Sequence, residues 1–230
     1  MSRDETIQRE WQLLFDRFEQ RLRDLQPASV LDVGCGRGVL VARLCNDGIL
    51  ATGVDPAASG QDPQVLKAEA TRLPFGDGSF EWVTLRHVPH HLADLPGALR
   101  ECVRVARTGL LVAEPWFDLT DPVQQIAERW DRWWKRQHER AGDTHRPCVS
   151  LNELITALPS AGYDVESEYY RHVASIAPRA IEALSQPLLD ELPTTDSDHA
   201  EFLKLQSLIR ERGFTYNGTL IVTVRLQERS

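Results

Sequence analysis

The sequence predicts an α/β fold built on a mostly parallel sheet. Three observations carry that reading. Short apolar runs of strand length alternate with longer segments whose apolar residues recur every three or four positions. The first run, SVLDV, leads into a glycine-rich turn, DVGCGRG. The fourth, FEWVTL, is apolar enough to be covered on both faces, as strands of parallel sheets are. Strands alternating with helices are joined by right-handed crossovers.

Each element follows in order. From Gln8 to Leu25 the apolar residues Trp11, Leu14, Phe15, Phe18, Leu22 and Leu25 make one helical stripe. SVLDVGCG then reads as a buried strand ending in glycines, with a helix through Val39 to Leu44. A second strand runs Leu50 to Val54 and stops at Asp55-Pro56, and a third lies near Val65 to Ala68. Phe80 to Leu85 is the fourth. A helix over Leu95 to Val105 follows, with Asp94 as N-cap and Pro96 in the first turn, where its missing N–H costs little. Leu110 to Ala113 is the fifth strand.

After Glu114-Pro115 the pattern changes. A long helix starts at Asp121-Pro122 and carries Val123, Ile126, Ala127, Trp130, Trp133 and Trp134. Trp130 and Trp134 share a stripe with Val123 and Ile126, which predicts packing. Trp133 breaks that stripe, and Trp116 sits just past the fifth strand, so these two suggest an aromatic wall for a ligand. A helix capped by Ser150 ends before Gly162. A strand over Val165 to His172, two helical patterns between Ala177 and Arg212, and the β-prone TLIVTVRL complete the chain.

Composition narrows the function classes. A length of 230 residues suits one well-filled core with a smaller cap. A net charge of −8 disfavours nucleic-acid partners, which usually meet a basic face. Arg129, Arg132, Lys135, Arg136, Arg140 and Arg146 fall in one segment and read as a solvated helix face. No apolar run is long enough to span a bilayer, so no membrane partner is expected. The N-terminus MSRDETIQREWQ has no apolar signal core. Cys35, Cys45, Cys102 and Cys148 form no CxxC pair, which fits reduced thiols in a cytoplasmic protein.

In open parallel sheets, ligands bind beyond the carboxyl ends of the strands. After the first strand come Asp32, Gly34, Gly36 and Gly38; glycines let backbone approach a ligand, and the next helix offers free N–H groups. Dinucleotide-binding loops use a related GxGxxG pattern, but here the third glycine comes early and Val39 holds the dinucleotide position. Asp55 ends the second strand, where a carboxylate accepts hydrogen bonds from ribose hydroxyls or, alternatively, opens the turn before Pro56.

The segment AEATRLPFGDGSFEWV, taken with VLDVGCGRG, GVDP, RHVPHHL and LLVAEP, closely resembles the class I S-adenosylmethionine-dependent methyltransferases. The nearest look-alikes are the small-molecule branch, similar to the ubiquinone and menaquinone biosynthesis methyltransferases. The resemblance covers about residues 28 to 115. It implies a Rossmann-like seven-stranded mostly parallel sheet with helices on both faces, a last strand, Thr219 to Leu226, inserted antiparallel, and a helical lid. The expected organisation is an N-terminal helical cap over 1–27 and a methyltransferase domain over 28–230, with lid insertions at about 116–149 and 177–212.

Carried over residue by residue, the resemblance implies S-adenosyl-L-methionine as cofactor. Asp32, Gly34, Gly36 and Gly38 would line its methionine part and Asp55 would hold its ribose. Glu69, in place of the usual aspartate, would meet the adenine amino group, with Ala70 supplying backbone contacts. Arg86 and His87 would border the sulfonium and the substrate. Glu81 replaces an aspartate, read as a surface change, and ARTGLL replaces a glycine-rich turn.

Three imidazoles remain, in VTLRHVPHHL. His90 and His91 are adjacent, so in a helix they point about 100° apart, and no cysteine or acidic cluster nearby completes a ligand set. No metal is expected. His90 and His91 match a position where helix-start and packing roles are common, and His91 stands between such a role and that of catalytic base. His87, nearer the strand end, is the preferred contact to substrate. Glu114 is a base or a partner for loop backbone, the second being favoured. The expected function is in-line transfer of methyl from S-adenosylmethionine to a small-molecule acceptor, releasing S-adenosylhomocysteine. A NAD-dependent oxidoreductase and a non-catalytic cofactor-binding scaffold are the alternatives. The acceptor is unspecified by the sequence, and so is oligomeric state, a homodimer included.

Overall fold

Seven strands form one sheet in the order β3-β2-β1-β4-β5-β7-β6. They are β1 (Ser29–Val33), β2 (Leu50–Asp55), β3 (Val65–Lys67), β4 (Phe80–Arg86), β5 (Ala106–Trp116), β6 (Asp164–Tyr170) and β7 (Gly218–Arg225). The computed structural model describes residues 5–160 and 162–227. Central strands are apolar on both faces: Val30, Leu31, Val83, Leu85, Leu110 and Leu111 are all sealed from solvent. β1 pairs in parallel with β2 and β4, which brings Asp32 level with Gly53 on one side and Thr84 on the other. β2–β3 and β4–β5 are parallel as well.

The chain leaves β1 in one direction through α2 (Val39–Asn46) to β2, and leaves β4 in the other through α3 (Leu95–Val105) to β5. Right-handed crossovers in opposite directions put α2 and α3 on opposite faces. The point where the direction reverses, between β1 and β4, is where the carboxyl-end crevice forms. Asp94 caps α3 as expected, its Oδ1 accepting from the Gly97 amide at 2.9 Å.

β7 runs antiparallel to its neighbours. The Leu226 amide donates to the Thr108 carbonyl at 2.9 Å, and a Cβ on Gly109 would meet the Val224 carbonyl oxygen at 2.3 Å, so rising β7 numbers meet falling β5 numbers. At the other edge a Cβ on Gly218 would meet the Tyr170 carbonyl oxygen at 2.1 Å, while the Gln227 side chain donates to the Gly162 carbonyl. Both glycines permit a backbone approach that any side chain would block. ARTGLL, read as replacing a glycine-rich turn, is strand from its first residue: α3 ends at Val105 and β5 begins at Ala106. Glu81, expected as a surface change, accepts from the Ala28 amide at 2.6 Å and ties β4 to the approach of β1.

By its contacts the chain divides into two units: Phe18–Glu114, Cys148–Glu168 and Leu220–Ser230 in the sheet unit, and Met1–Arg17, Pro115–Pro147 and Tyr169–Thr219 in the other. In the second unit α4 (Pro122–Arg140) packs on α7 (Ser197–Arg212), and α6 (Pro178–Asp190) also packs on α7. Trp133, expected off the packed stripe, is the fully buried one. Its Nε1 donates to the Asp198 carbonyl at 2.9 Å, and its ring lies 4.6 Å from that of Phe202. Trp130 is buried on the other side, donating to Ser185 Oγ at 2.9 Å. The helix buries two faces because it has neighbours on both. Its basic run is neutralised from nearby: Lys135 by Asp131, Arg136 by Asp198 and Glu201, Arg140 by Asp196, and Arg132 by Glu128.

All four cysteines are free thiols. Cys35 and Cys102 are buried, and burial pushes both thiols up to about 12. No helix among the described residues is long and apolar enough to cross a membrane.

Candidate functional site

The site residues of the sheet unit gather where β1, β2, β4 and β5 end. β1 is continued by hydrogen bonds from the Gly34 and Cys35 amides to the Val54 carbonyl, at 2.8 and 3.1 Å. Gly34, Gly36 and Gly38 then take left-handed backbone, with φ of 69°, 56° and 73°. The three differ in what lies beside them. A Cβ on Gly34 would meet Val88 Cγ2 at 2.4 Å, and one on Gly38 would meet Val65 Cγ2 at 2.7 Å. A Cβ on Gly36 would meet nothing within 4 Å. Only Gly36 opens toward free space; Gly34 and Gly38 let neighbouring strands and loops close up.

The Gly36 amide donates to Asp55 Oδ2 at 2.9 Å, and the Ala57 amide donates to Asp55 Oδ1 at 2.8 Å. Both readings of Asp55 therefore hold locally: it opens the turn and it is tied to the glycine loop. It remains half-buried. α2 begins at Val39 with Gly38 as N-cap and no side-chain cap, so its first amides are uncapped by any side chain.

Asp32 is 3 % exposed, and its Oδ1 accepts from Thr84 Oγ1 at 2.7 Å. Burial pushes its carboxyl up to about 6; the Thr84 hydrogen bond and the Arg86 charge pull it down, and Asp55 adds to the rise. Glu69 is exposed and forms an isolated antiparallel bridge with Arg72, and Ala70 follows it beyond the end of β3. β3 lies next to β2, so the segment carrying Glu69 follows a strand that ends on the same edge as Asp55.

Arg86 is the last residue of β4. His87 follows in left-handed backbone with φ 57°, its amide extending the ladder to the Ala113 carbonyl at 2.8 Å. A 3₁₀ turn, Pro89–His91, comes next. His91 is exposed, with its amide on the Val88 carbonyl at 2.8 Å. His90 is 4 % exposed and Glu114 is 0 % exposed. The His90 amide donates to Glu114 Oε1 at 2.9 Å, and His90 Nδ1 lies 2.9 and 2.8 Å from the two carboxylate oxygens. Sequence reasoning gave His90 no individual role. The available signal was a glutamate at the end of an apolar strand, LLVAEP, whose burial demands a nearby donor.

Residues 31–113 match a family model described as a methyltransferase domain. The matched stretch is 83 of the chain's 230 residues. It runs from β1 to β5 and contains Asp32, the three glycines, Asp55, Glu69, Ala70 and the histidine segment. The chain is 33% identical to the demethylmenaquinone methyltransferase of Corynebacterium urealyticum over 110 residues, 44% of this chain and 48% of that protein. It thus spans about half the length of that relative. It is 26% identical to the ubiquinone biosynthesis O-methyltransferase of Rhizobium leguminosarum over 167 residues, 66% of this chain and 65% of that protein. Among solved structures, the YcgJ protein of Bacillus subtilis has a TM-score of 0.57 at 17% identity, covering 88% of this chain and 93% of that one. At that identity the likeness concerns the fold, and it extends beyond residues 31–113 to most of the chain.

Proposed function

We propose that this chain transfers a methyl group from S-adenosylmethionine to a small-molecule acceptor. The observation that carries the reading is the pairing of Gly36 with Asp55: an open backbone position beside a half-buried carboxylate, at the end of the first two strands of a methyltransferase domain. S-adenosylmethionine supplies a methyl group on a positively charged sulfur, an electrophile with its leaving group built in.

The chain's own residues have these tasks. Asp55 accepts from the ribose hydroxyls while its second oxygen keeps the turn closed. The exposed Glu69 takes the adenine amino group, with the Ala70 backbone beside it. The loop Gly34–Gly38 and the first amides of α2 receive the methionine part, whose carboxylate suits a helix N-terminus. Asp32, near the end of β1, lines the methionine part with them. Arg86 and His87 border the sulfur and the acceptor, with His91 on the acceptor side. The protein aligns the nucleophile and excludes water. To the second unit, which holds α4, α6 and α7, we assign the choice of acceptor. The free thiols favour a reducing compartment, the cytoplasm.

Calorimetric titration of the full chain with S-adenosylhomocysteine, and with NAD in parallel, tests this. Saturable binding of the first alone is expected. Asp55→Ala should weaken it by about 1–3 kcal/mol, roughly 5- to 150-fold, through lost hydrogen bonds. Binding of NAD alone would replace the reading with a nucleotide-dependent oxidoreductase.

A further inference from the structure

Between β3 and β4 the chain runs through AEATRLPFGDGS, Ala68 to Ser79, where the Glu69–Arg72 bridge closes a turn over Ala70 and Thr71. Leu73 is buried, at 4 % exposure, but most of the segment is exposed, so apolar burial alone holds little of it. Two residues on α3 hold the rest. Arg104 Nη1 donates to the Phe75 carbonyl at 2.7 Å and to Asp77 Oδ1 at 3.0 Å, and Nη2 donates to the Leu73 carbonyl at 3.2 Å. The same guanidinium grips Glu101, with Nε 2.7 Å from Oε1 and Nη2 2.8 Å from Oε2. Glu101 Oε2 in turn accepts from the Leu73 amide at 2.9 Å. The Arg104 carbonyl completes the tie, accepting from the Gly78 amide at 2.9 Å. A bidentate arginine–carboxylate pair adds geometric specificity to its strength, so both backbone groups of Leu73 are fixed relative to α3. From Leu73 the constraint passes to its neighbour. The Arg72 amide donates to the Glu69 carbonyl at 3.0 Å, which sets the turn that presents Glu69 and Ala70.

We propose that Glu101 and Arg104 are positioning residues for base recognition, holding the Glu69–Ala70 turn in its binding form before the cofactor arrives. This rests on the methyl-transfer reading, in which Glu69 takes the adenine amino group and Ala70 lies beside it. The two α3 side chains act through the Leu73 backbone, not on the ligand. Ordering a loop costs conformational entropy, and a loop that orders only on binding lowers the affinity by that amount. A loop already held by α3 leaves the cost with folding. Aim matters as well. A carboxylate accepts hydrogen bonds and donates none, so it tells an amino group from a carbonyl only when it is kept facing that position. A loose turn would let Glu69 swing away from a mismatched base, and the discrimination would fade. Arginine is needed at 104 rather than any cation, because lysine has no planar fork to meet two carbonyls and a carboxylate together.

The test is calorimetric titration of the full chain with S-adenosylhomocysteine and with S-inosylhomocysteine, in which a carbonyl replaces the adenine amino group. The native chain should prefer the first by at least about tenfold, the worth of one charge-assisted hydrogen bond made rather than opposed. Arg104→Lys, which keeps the charge and loses the fork, should bring that preference below about threefold, and Glu101→Gln should lower it in the same direction. A change that only weakened the fold would lower both affinities together and leave their ratio where it was. An unchanged ratio in both variants would overturn the proposal and leave the methyl-transfer reading intact. A native chain that binds S-adenosylhomocysteine without preferring it would remove Glu69 from the adenine, and the proposal with it. Failure of the native chain to bind either ligand would remove the methyl-transfer reading as well. Should neither variant fold, hydrogen exchange on the native chain decides: the Arg72 and Leu73 amides should be protected at least about tenfold before any ligand is added. Amides that exchange freely until S-adenosylhomocysteine binds would mean that the ligand, and not α3, orders the turn.

Discussion

Thr84 Oγ1 donates to Asp32 Oδ1 at 2.7 Å across a parallel strand pair, with both side chains sealed from water. One hydroxyl does not replace the hydration a carboxylate loses, and burial dominates: the Asp32 carboxyl is pushed from 3.8 up to about 6. A carboxyl whose folded value is raised favours the folded state at low pH, where it is protonated. That contribution fades as pH climbs from about 4 to about 6 and is gone above. Two pH units correspond to about 3 kcal/mol. Asp32→Asn keeps the shape and an acceptor for Thr84 without the charge. In urea unfolding it should be more stable than the native chain at pH 8 by up to about 3 kcal/mol, with the gap closing toward pH 4. Parallel stability curves over that range would show that Asp32 carries no such strain. A stabilising loss at a strand end is what a residue kept for ligand binding looks like.

The glycine loop separates packing from binding at two positions close in sequence, Gly34 and Gly36. Gly34 and Gly36 share left-handed backbone, so alanine costs each about 1 kcal/mol of strain. At Gly34 the new methyl also drives into Val88, and overpacking adds about 1–3 kcal/mol. At Gly36 it enters open space. Gly36→Ala should therefore lose only about 1 kcal/mol of stability, from backbone strain, together with affinity for S-adenosylhomocysteine, while Gly34→Ala should lose several times that stability. Thermal unfolding paired with calorimetry distinguishes them. Full affinity in Gly36→Ala would mean that the open space faces no ligand.

The strand ends were legible because parallel strands are doubly buried and stop at recognisable residues: Asp55-Pro56, Asp94 as a cap, the glycines after Val33. What was hidden depended on neighbours far away in sequence. Trp133 looked off the stripe because helical periodicity assumes one packed face, whereas α4 also meets α7 through Phe202 and Asp198. His90 and Glu114 lie on different segments, and only the β4–β5 register brings them together. Gly34 and Gly38 show the same limit: the loop pattern is visible in sequence, but Val88 and Val65, which fill the space beside them, are not.

His87 presents a further cost that points to use. It is non-glycine in left-handed backbone, φ 57°, held there by its amide on the Ala113 carbonyl at 2.8 Å and followed at once by the turn that carries His90. For a residue with a Cβ this conformation costs about 1–2 kcal/mol relative to right-handed backbone. Glycine would relieve it, and alanine would not. His87→Gly should then be more stable than His87→Ala by about 1 kcal/mol in urea unfolding, both having lost the same ring beyond Cβ. Both variants should retain S-adenosylhomocysteine affinity, because the ring is assigned to the acceptor side, and both should turn over more slowly once an acceptor is in hand. Equal stability of the two would mean that the backbone at residue 87 relaxes when the ring is removed. In that case it is the imidazole, through its own contacts, that holds the strained conformation. Loss of S-adenosylhomocysteine affinity in both would move His87 from the acceptor side to the cofactor.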